Sequence, residues 1–239
     1  TIDEATTLYH EWGHALHGLL YGFSAAQPVR YPSLAGTNVK QDWVEVPSQL
    51  QENWLLQKEV LDTFAVHHDT QQPMPDSLIQ SIKDSYYFDA GYSGLRQLHL
   101  GLLDMKCHTS DPAQWNSSDD IEQAVDTLTT ILPPLKGSIL ASFSHITSGG
   151  YAAGYYSYKW AEVLDKQIFK VATQNGLYDP AAMKVIETHL YGSGDLVDPM
   201  QSFVAITGER PELDALFRHE GLLPPAVAPV LVVLPKPGP

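Results

Sequence analysis

The feature that most constrains this chain is a His-Glu-x-x-His pattern near its beginning, within residues 8–18, LYHEWGHALHG. On an α-helix, residues four apart lie on one face, one turn above the other. His10 and His14 would therefore present ring nitrogens to one point in space. Glu11 lies about a third of a turn round the helix, within reach of a water held at that point. The pattern thus predicts that residues 10–14 are helical.

The same pattern indicates a metal site. Two neutral imidazoles, an open position for water and a carboxylate that accepts its proton are what a zinc protease requires. The metzincin form of the motif is excluded, because His17 and Leu20 stand where that form needs a Gly and a third His. The third ligand is therefore expected from another element, and a carboxylate on the following helix is the first candidate.

Three carboxylates lie at or near the start of that following helix: Asp42, Glu45 and Glu52. Pro47 is best tolerated in a first helical turn, which sets the predicted start near residues 43–46. Glu45 and Glu52 are seven apart and share a face, so one could ligate the metal while the other holds a ligand histidine. Carboxylates at a helix start also favour the helix dipole. Spacing alone leaves the choice among the three open.

A second chemically distinctive stretch, residues 145–160, contains four tyrosines within eight residues. A helix is predicted from about Ala152 to Gln174, and Tyr151, Tyr155 and Tyr158 follow at i, i+4 and i+7, on one face. Phenolic hydroxyls directed into a cleft suit donation to the oxyanion of a tetrahedral intermediate. The alternative is an aromatic stripe in the core.

The residues just before the tyrosines favour the functional interpretation. Gly149 and Gly150 allow a backbone to approach a substrate closely and allow the loop to move. His145 could donate to a substrate carbonyl. This stretch is therefore predicted to contact the substrate.

Composition narrows the function classes. The formal charge of −14 with no basic stripe argues against nucleic acid and anionic membranes as partners. Cys107 is the single cysteine, so an internal disulfide is excluded and a reducing compartment is favoured. The cytoplasm is expected, with the periplasm possible. No signal peptide or transmembrane segment is predicted.

Helical periodicity runs through most of the chain, and little alternating strand pattern is present. The predicted fold class is all-α. Beyond the helix over about 4–20, the predicted helices span about 43–67, 77–88, 90–106, 119–131 (ended by Pro133-Pro134), 152–174, 179–191 and 211–219. Residues 222–239 are Pro-rich and are predicted to form an extended tail after one catalytic domain, residues 1–221.

Three blocks together resemble the thimet oligopeptidase family of zinc peptidases, which includes oligopeptidase A and peptidyl-dipeptidase (dipeptidyl carboxypeptidase). The blocks are residues 10–17 (HEWGHALH), residues 36–49 and residues 145–158, in the family's order. Two departures are visible. Trp12 replaces the common Phe, and the connection from His14 to Glu45 is several residues longer, around 24–29.

The resemblance implies roles for individual residues. His10, His14 and Glu45 would bind one zinc ion, and Glu11 would be the general base. Further roles are implied for residues of the third block: Tyr151, Tyr158 and His145 in catalysis, with Tyr155, Gly149 and Gly150 touching the substrate.

The resemblance also implies an overall architecture and an activity. Family members are longer, mostly helical and two-lobed, with the site in a deep channel, so this chain is expected to be a C-terminal catalytic fragment. The expected activity is hydrolysis of short peptides by Glu-assisted attack of a zinc-bound water, either within peptides or by release of C-terminal dipeptides. The alternative is a zinc-binding but catalytically incomplete helical fragment that lacks the N-terminal channel wall. Oligomeric state is left open.

Overall fold

A computed structural model describes residues 1–22, 31–129 and 138–224. Within these ranges the regular structure is helical and no strand occurs, apart from one isolated antiparallel bridge between Val66 and Pro73. The all-α prediction is therefore confirmed. The longer connection at 24–29, Pro133-Pro134 and residues 225–239 of the tail lie outside the described residues.

The described ranges contain ten α-helices and five shorter helical turns. The α-helices are α1 (Ile2–Leu19), α2 (Val46–Leu55), α3 (Lys58–Leu61), α4 (Asp76–Phe88), α5 (Ala90–Thr109), α6 (Ser118–Asp126), α7 (Ser157–Ala172), α8 (Pro180–Ile186), α9 (Pro199–Thr207) and α10 (Asp214–His219). The shorter turns are 3₁₀ at Pro32–Leu34, Pro112–Gln114, Ser144–Ile146 and Gly194–Leu196, and π at Glu187–Tyr191. No helix in these ranges is both long and apolar enough to cross a membrane.

The predicted helix over 43–67 is wrong in its second half. Helix α2 ends at Leu55, and Gln57 is extended, with φ −80° and ψ 135°, before the short α3 begins. Leu55, Leu61 and Ile79 share one buried cluster. The chain turns after α2 because a straight helix would carry its later apolar residues away from that cluster.

The predicted helix over 152–174 begins five residues too early. Helix α7 starts at Ser157, and the residues before it form turns. Ala153 has φ +56°, a left-handed conformation that no α-helix contains. The spacing predicted that the tyrosines would lie along one helical face, and this prediction is wrong.

Other helix predictions differ less. Helix α6 ends at Asp126, the 179–191 segment divides into α8 and a π turn, and α10 begins at Asp214. Helix α9 was not predicted, although its signals are in the sequence: the Asp198 side chain caps its first turn and Gly208 ends it with φ 75°.

The main core lies where α1, α2, α7 and α9 meet. Its buried side chains include Trp43, Leu50, Leu164, Ile168 and Phe203. A second cluster joins α5 and α6 to the segment before the tyrosines, around Leu103, Val125 and Phe143. Two apolar clusters thus support the two chemically distinctive stretches, one each.

Candidate metal centre

Three potential ligands converge between α1 and the start of α2. Glu45 Oε2 lies 3.2 Å from His10 Nε2 and 3.2 Å from His14 Nε2. All three ligand atoms lie within 4.8 Å of one another. Zinc bonds of 2.0–2.2 Å in tetrahedral geometry separate ligand atoms by about 3.4 Å. Both the donor set and its spacing fit zinc.

The convergence depends on an unusually close approach of two helices. A Cβ atom at Gly13 would lie 2.4 Å from the carbonyl oxygen of Pro47 and 2.5 Å from the Cα atom of Ser48. Only a residue without a side chain permits this contact. Because Gly13 precedes His14 directly, the contact brings the histidine face of α1 against the first turn of α2.

The Glu45 carboxylate is buried, with 2% exposure, and its two oxygens are used differently. Oε2 faces the imidazoles and also accepts a hydrogen bond of 2.8 Å from Ser48 Oγ. Oε1 accepts a hydrogen bond from the Tyr151 hydroxyl. The carboxylate is therefore oriented by groups from α2 and from the tyrosine stretch.

Glu52 lies behind the cluster rather than within it. Its Oε1 is 2.6 Å from His10 Nδ1, on the side of the ring away from Glu45. A carboxylate on the distal imidazole nitrogen fixes the tautomer and orientation of a ligand histidine. Asp42 belongs to neither potential metal group found among the described residues. His14 Nδ1 is buried and has no such partner in the described ranges.

The pKa values of the candidate ligands reflect this crowding. Burial lowers the pKa of His10, but hydrogen bonds to Glu45 and Glu52 outweigh it and raise the pKa to about 10. Burial likewise raises the pKa of Glu45, but hydrogen bonds from His10, His14 and Tyr151 lower it well below its usual range. The shifted pKa values of His10 and Glu45 thus both favour the charged forms of the two side chains.

The general-base candidate is adjacent in the chain to one of the three potential ligands. Glu11 is exposed on α1, directly after His10. Its side chain has no hydrogen-bond or ion-pair partner in the described part of the chain. Its carboxylate is therefore available to a water or a substrate.

The tyrosine stretch forms an aromatic cluster with His145. The Tyr151 and Tyr158 rings stack with centroids 5.0 Å apart and planes at 13°. The His145 ring meets Tyr151, Tyr155 and Tyr158 edge-on at 5.5, 5.5 and 6.0 Å. The Tyr155 hydroxyl donates to Gln97 Oε1 at 3.0 Å. Tyr151, through its bond to Glu45, joins the cluster to the metal centre.

The phenols of this cluster are proton donors at neutral pH. Burial raises the pKa of Tyr158 to about 12, with Tyr151 opposing the rise and Glu45 adding to it. Burial and the hydrogen bond to Glu45 raise the pKa of Tyr151 further. The glycines lie in the exposed turn before the cluster, Gly149 with φ +69° and Gly150 with φ +82°.

A second group of possible ligands, His67, His68 and Asp69, lies in an exposed turn. His67 Nδ1 already accepts hydrogen bonds from the backbone N–H groups of Asp69 and Thr70, each 3.3 Å long. That arrangement uses Nδ1 of His67 within the turn itself. The group is therefore a turn motif, unlike the convergent donors between α1 and α2.

A cavity of about 630 Å³ is lined by some of the residues that contact the candidate site, although its lining includes none of the three potential ligands. Glu52, which contacts His10, and Gln97, which contacts Tyr155, both line this cavity. Gln49 and Arg96 line it as well. The cavity therefore borders the neighbours of one potential ligand, His10, and of one clustered tyrosine, Tyr155.

Comparison with known proteins agrees with this geometry. Residues 1–222 match the family described as Peptidase family M3. Oligopeptidase A of Haemophilus influenzae is 36% identical over 231 residues, which is 93% of this chain and 32% of that protein. The organellar oligopeptidase A of Arabidopsis thaliana is 37% identical over 93% of this chain and 28% of its own length.

A relative of a differently named activity matches equally far. The dipeptidyl carboxypeptidase of Escherichia coli is 34% identical over 92% of this chain and 32% of its own length. The chain thus spans about a third of the length of these relatives. With a family match that covers nearly all described residues, this chain belongs to peptidase family M3.

Proposed function

We propose that this chain carries the catalytic centre of a zinc-dependent peptidase that hydrolyses short peptides. The observation that carries the proposal is the convergence of His10, His14 and Glu45 on one point, with a spacing that suits zinc. The names of the relatives, oligopeptidase A and dipeptidyl carboxypeptidase, support peptides as the substrate class.

His10, His14 and Glu45 hold the metal in this proposal. When bound there, zinc supplies a Lewis acid that lowers the pKa of a coordinated water to about 7. Glu52 keeps the His10 ring oriented, and Ser48 keeps the Glu45 carboxylate oriented. Glu11 accepts the proton of the attacking water and delivers it to the leaving amine.

The aromatic cluster serves the substrate carbonyl. Tyr158 donates a hydrogen bond to the oxyanion that develops there, and Tyr151 does so when its hydroxyl turns from Glu45, since both phenols are protonated at neutral pH. From the same cluster, His145 donates a hydrogen bond to the substrate and Tyr155 contacts the substrate. The backbone at Gly149 and Gly150 accommodates the peptide closely.

The decisive experiment measures zinc content and peptide cleavage on one sample, with and without a chelator. We expect one zinc per chain and cleavage that the chelator abolishes. Glu11→Gln should retain zinc and lose cleavage by about 10²–10⁴, whereas Glu59→Gln, at an exposed position of α3, should match the unmodified chain. Undiminished cleavage by Glu11→Gln would refute the base assignment.

A second candidate function follows from the coverage of the relatives. Because the chain spans about a third of their length, it could bind zinc without completing a substrate channel. Stoichiometric zinc together with no cleavage of any short peptide would favour this catalytically incomplete form.

The relatives' names leave two cleavage patterns within the proposed activity. One peptide with a free and with an amidated C-terminus separates them. Equal cleavage of both indicates an oligoendopeptidase, while release of dipeptides from the free form alone indicates a peptidyl-dipeptidase. Mass spectrometry of the products identifies the bond cut in each case.

A further inference from the structure

A fully buried carboxylate, Asp104 on α5, contacts the turn that carries the tyrosines. Its side chain has 0% exposure. Oδ1 accepts the backbone N–H of Ala153 at 3.0 Å, and Oδ2 accepts the backbone N–H of Tyr155 at 3.0 Å. Each oxygen thus holds one peptide group of a segment 49 and 51 residues away along the chain.

The turn has backbone hydrogen bonds of its own, such as Gly154 N–H to the Tyr151 carbonyl at 2.8 Å, but these leave the amides of Ala153 and Tyr155 without a backbone acceptor in the described ranges. Ala153 adopts φ +56°, which an L-residue with a Cβ adopts at a cost. The N–H of Ala152 has no acceptor in the described ranges. Two N–H groups that lack backbone acceptors are instead satisfied by the two oxygens of the Asp104 side chain.

Other contacts show that α5 is fitted to this turn. A Cβ at Gly101, one turn before Asp104, would lie 3.5 Å from the Cα of Tyr156, in ordinary contact. The side facing His108 is also occupied, since His108 Nδ1 lies 3.0 Å from Asp104 Oδ1. Asp104 is therefore surrounded by the turn and its own helix, without access to substrate.

We propose that Asp104 is a positioning residue that holds the tyrosines against the metal centre. The anchored residues lie between Tyr151, whose hydroxyl reaches Glu45, and Tyr158, whose ring stacks on Tyr151. Release of the Ala153 and Tyr155 amides frees both phenols from that placement. The inference rests on the proposed function only for its catalytic consequence, because the anchoring itself is a property of the fold.

The first test is hydrogen exchange on the metal-free, unmodified chain. The amides of Ala153 and Tyr155 should exchange at least about tenfold more slowly than the amide of Ala152, which lacks an acceptor. Equal exchange of all three would overturn the proposal without any variant. This measurement does not depend on peptidase activity. If the chain cleaves no peptide, the proposed function is refuted, and the exchange rates still show whether Asp104 holds the two amides.

The second test is Asp104→Asn, which keeps the shape but replaces one acceptor oxygen with an NH₂ donor. Exchange at Ala153 or Tyr155 should accelerate, and kcat should fall by up to about 10², the effect of one lost oxyanion donor. KM and zinc content should stay unchanged. Asp84→Asn, on the exposed surface of α4, is the matched control.

Two further variants separate positioning from general destabilisation. In a Tyr158→Phe background, Asp104→Asn should cost less than it does alone, because part of its effect acts through the Tyr158 hydroxyl. Ala153→Gly removes the left-handed strain and should restore part of the kcat lost in Asp104→Asn. Full additivity with Tyr158→Phe, or loss of zinc in Asp104→Asn, would overturn the positioning role.

Discussion

The two halves of the candidate site are built in opposite ways. The metal side uses regular helices, α1 and the start of α2, joined by a backbone contact at Gly13. The tyrosine side uses irregular turns, in which the buried carboxylate of Asp104 binds two backbone amides. Helical spacing positions ligands that must converge rigidly, whereas turns held from outside bring together phenols that are not in helical register.

The difference extends to the polar partners of each half. On the metal side, Glu45 is oriented from within its own helix by Ser48, and His10 by Glu52 one helix away. On the tyrosine side, the anchor belongs to α5, a helix that packs in the second apolar cluster. A hydrogen bond from Tyr151 to Glu45 joins the two halves.

The largest expected effect is the loss of metal from Glu45→Ala. Removal of the carboxylate deletes a ligand and leaves the Tyr151 hydroxyl without its partner. We expect zinc to fall from stoichiometric to trace by elemental analysis. Glu52→Ala, the control behind the site, should retain zinc at saturation and weaken its affinity by about 10–100-fold. The reverse pattern would exchange the roles of the two carboxylates.

A large effect confined to turnover is expected from Tyr158→Phe. Removal of one oxyanion donor should lower kcat by about 10²–10³ while zinc content stays constant. Steady-state kinetics with parallel zinc analysis checks the separation. Loss of zinc in this variant would show that Tyr158 is needed for metal binding, which would contradict the assignment of metal binding to α1 and α2 alone.

An intermediate effect is expected where α1 meets α2. Gly13→Ala should lower the free energy of unfolding by about 1–3 kcal/mol, because its Cβ overlaps the Pro47 carbonyl. Zinc affinity should fall with it as the helices separate. Gly18→Ala, later in α1 with nothing within 4 Å of its Cβ, should be neutral or stabilising by up to about 1 kcal/mol. Denaturant unfolding of both variants provides the comparison, and equal stability of the two would contradict the close contact.

The smallest effect is the pH dependence of zinc binding. The pKa of His10 is raised to about 10 in the metal-free site, so the ring carries a proton at neutral pH. That proton must leave when the metal binds. Zinc affinity should therefore rise by up to about tenfold per pH unit between pH 6 and 8. Calorimetry in buffers of different ionisation enthalpy should detect one released proton, and pH-independent affinity would contradict the shift.

Local patterns in the sequence were sufficient for a large part of the fold. Helix α4 was predicted to within one residue at its start, and α5 at its beginning, because apolar periodicity and Pro or Asp starts are local signals. The division after Leu55 was missed, since it depends on the cluster that Leu55 forms with Leu61 and Ile79.

In the candidate site too, some features follow from local sequence patterns and others from contacts between separate elements. The spacing of His10 and His14 was enough to place two imidazoles on one face, because that geometry repeats in every α-helix. Which carboxylate faces them is decided by the packing of α1 on α2, and spacing alone had left Asp42, Glu45 and Glu52 open. Helical register is short-range, while this choice depends on contacts between separate elements.

The tyrosine stretch shows the limit most clearly. Its residue types predicted a stretch that contacts the substrate. The helical face predicted for Tyr151, Tyr155 and Tyr158 does not exist, because Ala153 takes a left-handed conformation. Asp104 carried no sequence signal, since its role depends on two amides about 50 residues away. The sequence alone thus specified the helices and the residue types for the chemistry. Only long-range packing and hydrogen bonding decided which of those residues meet.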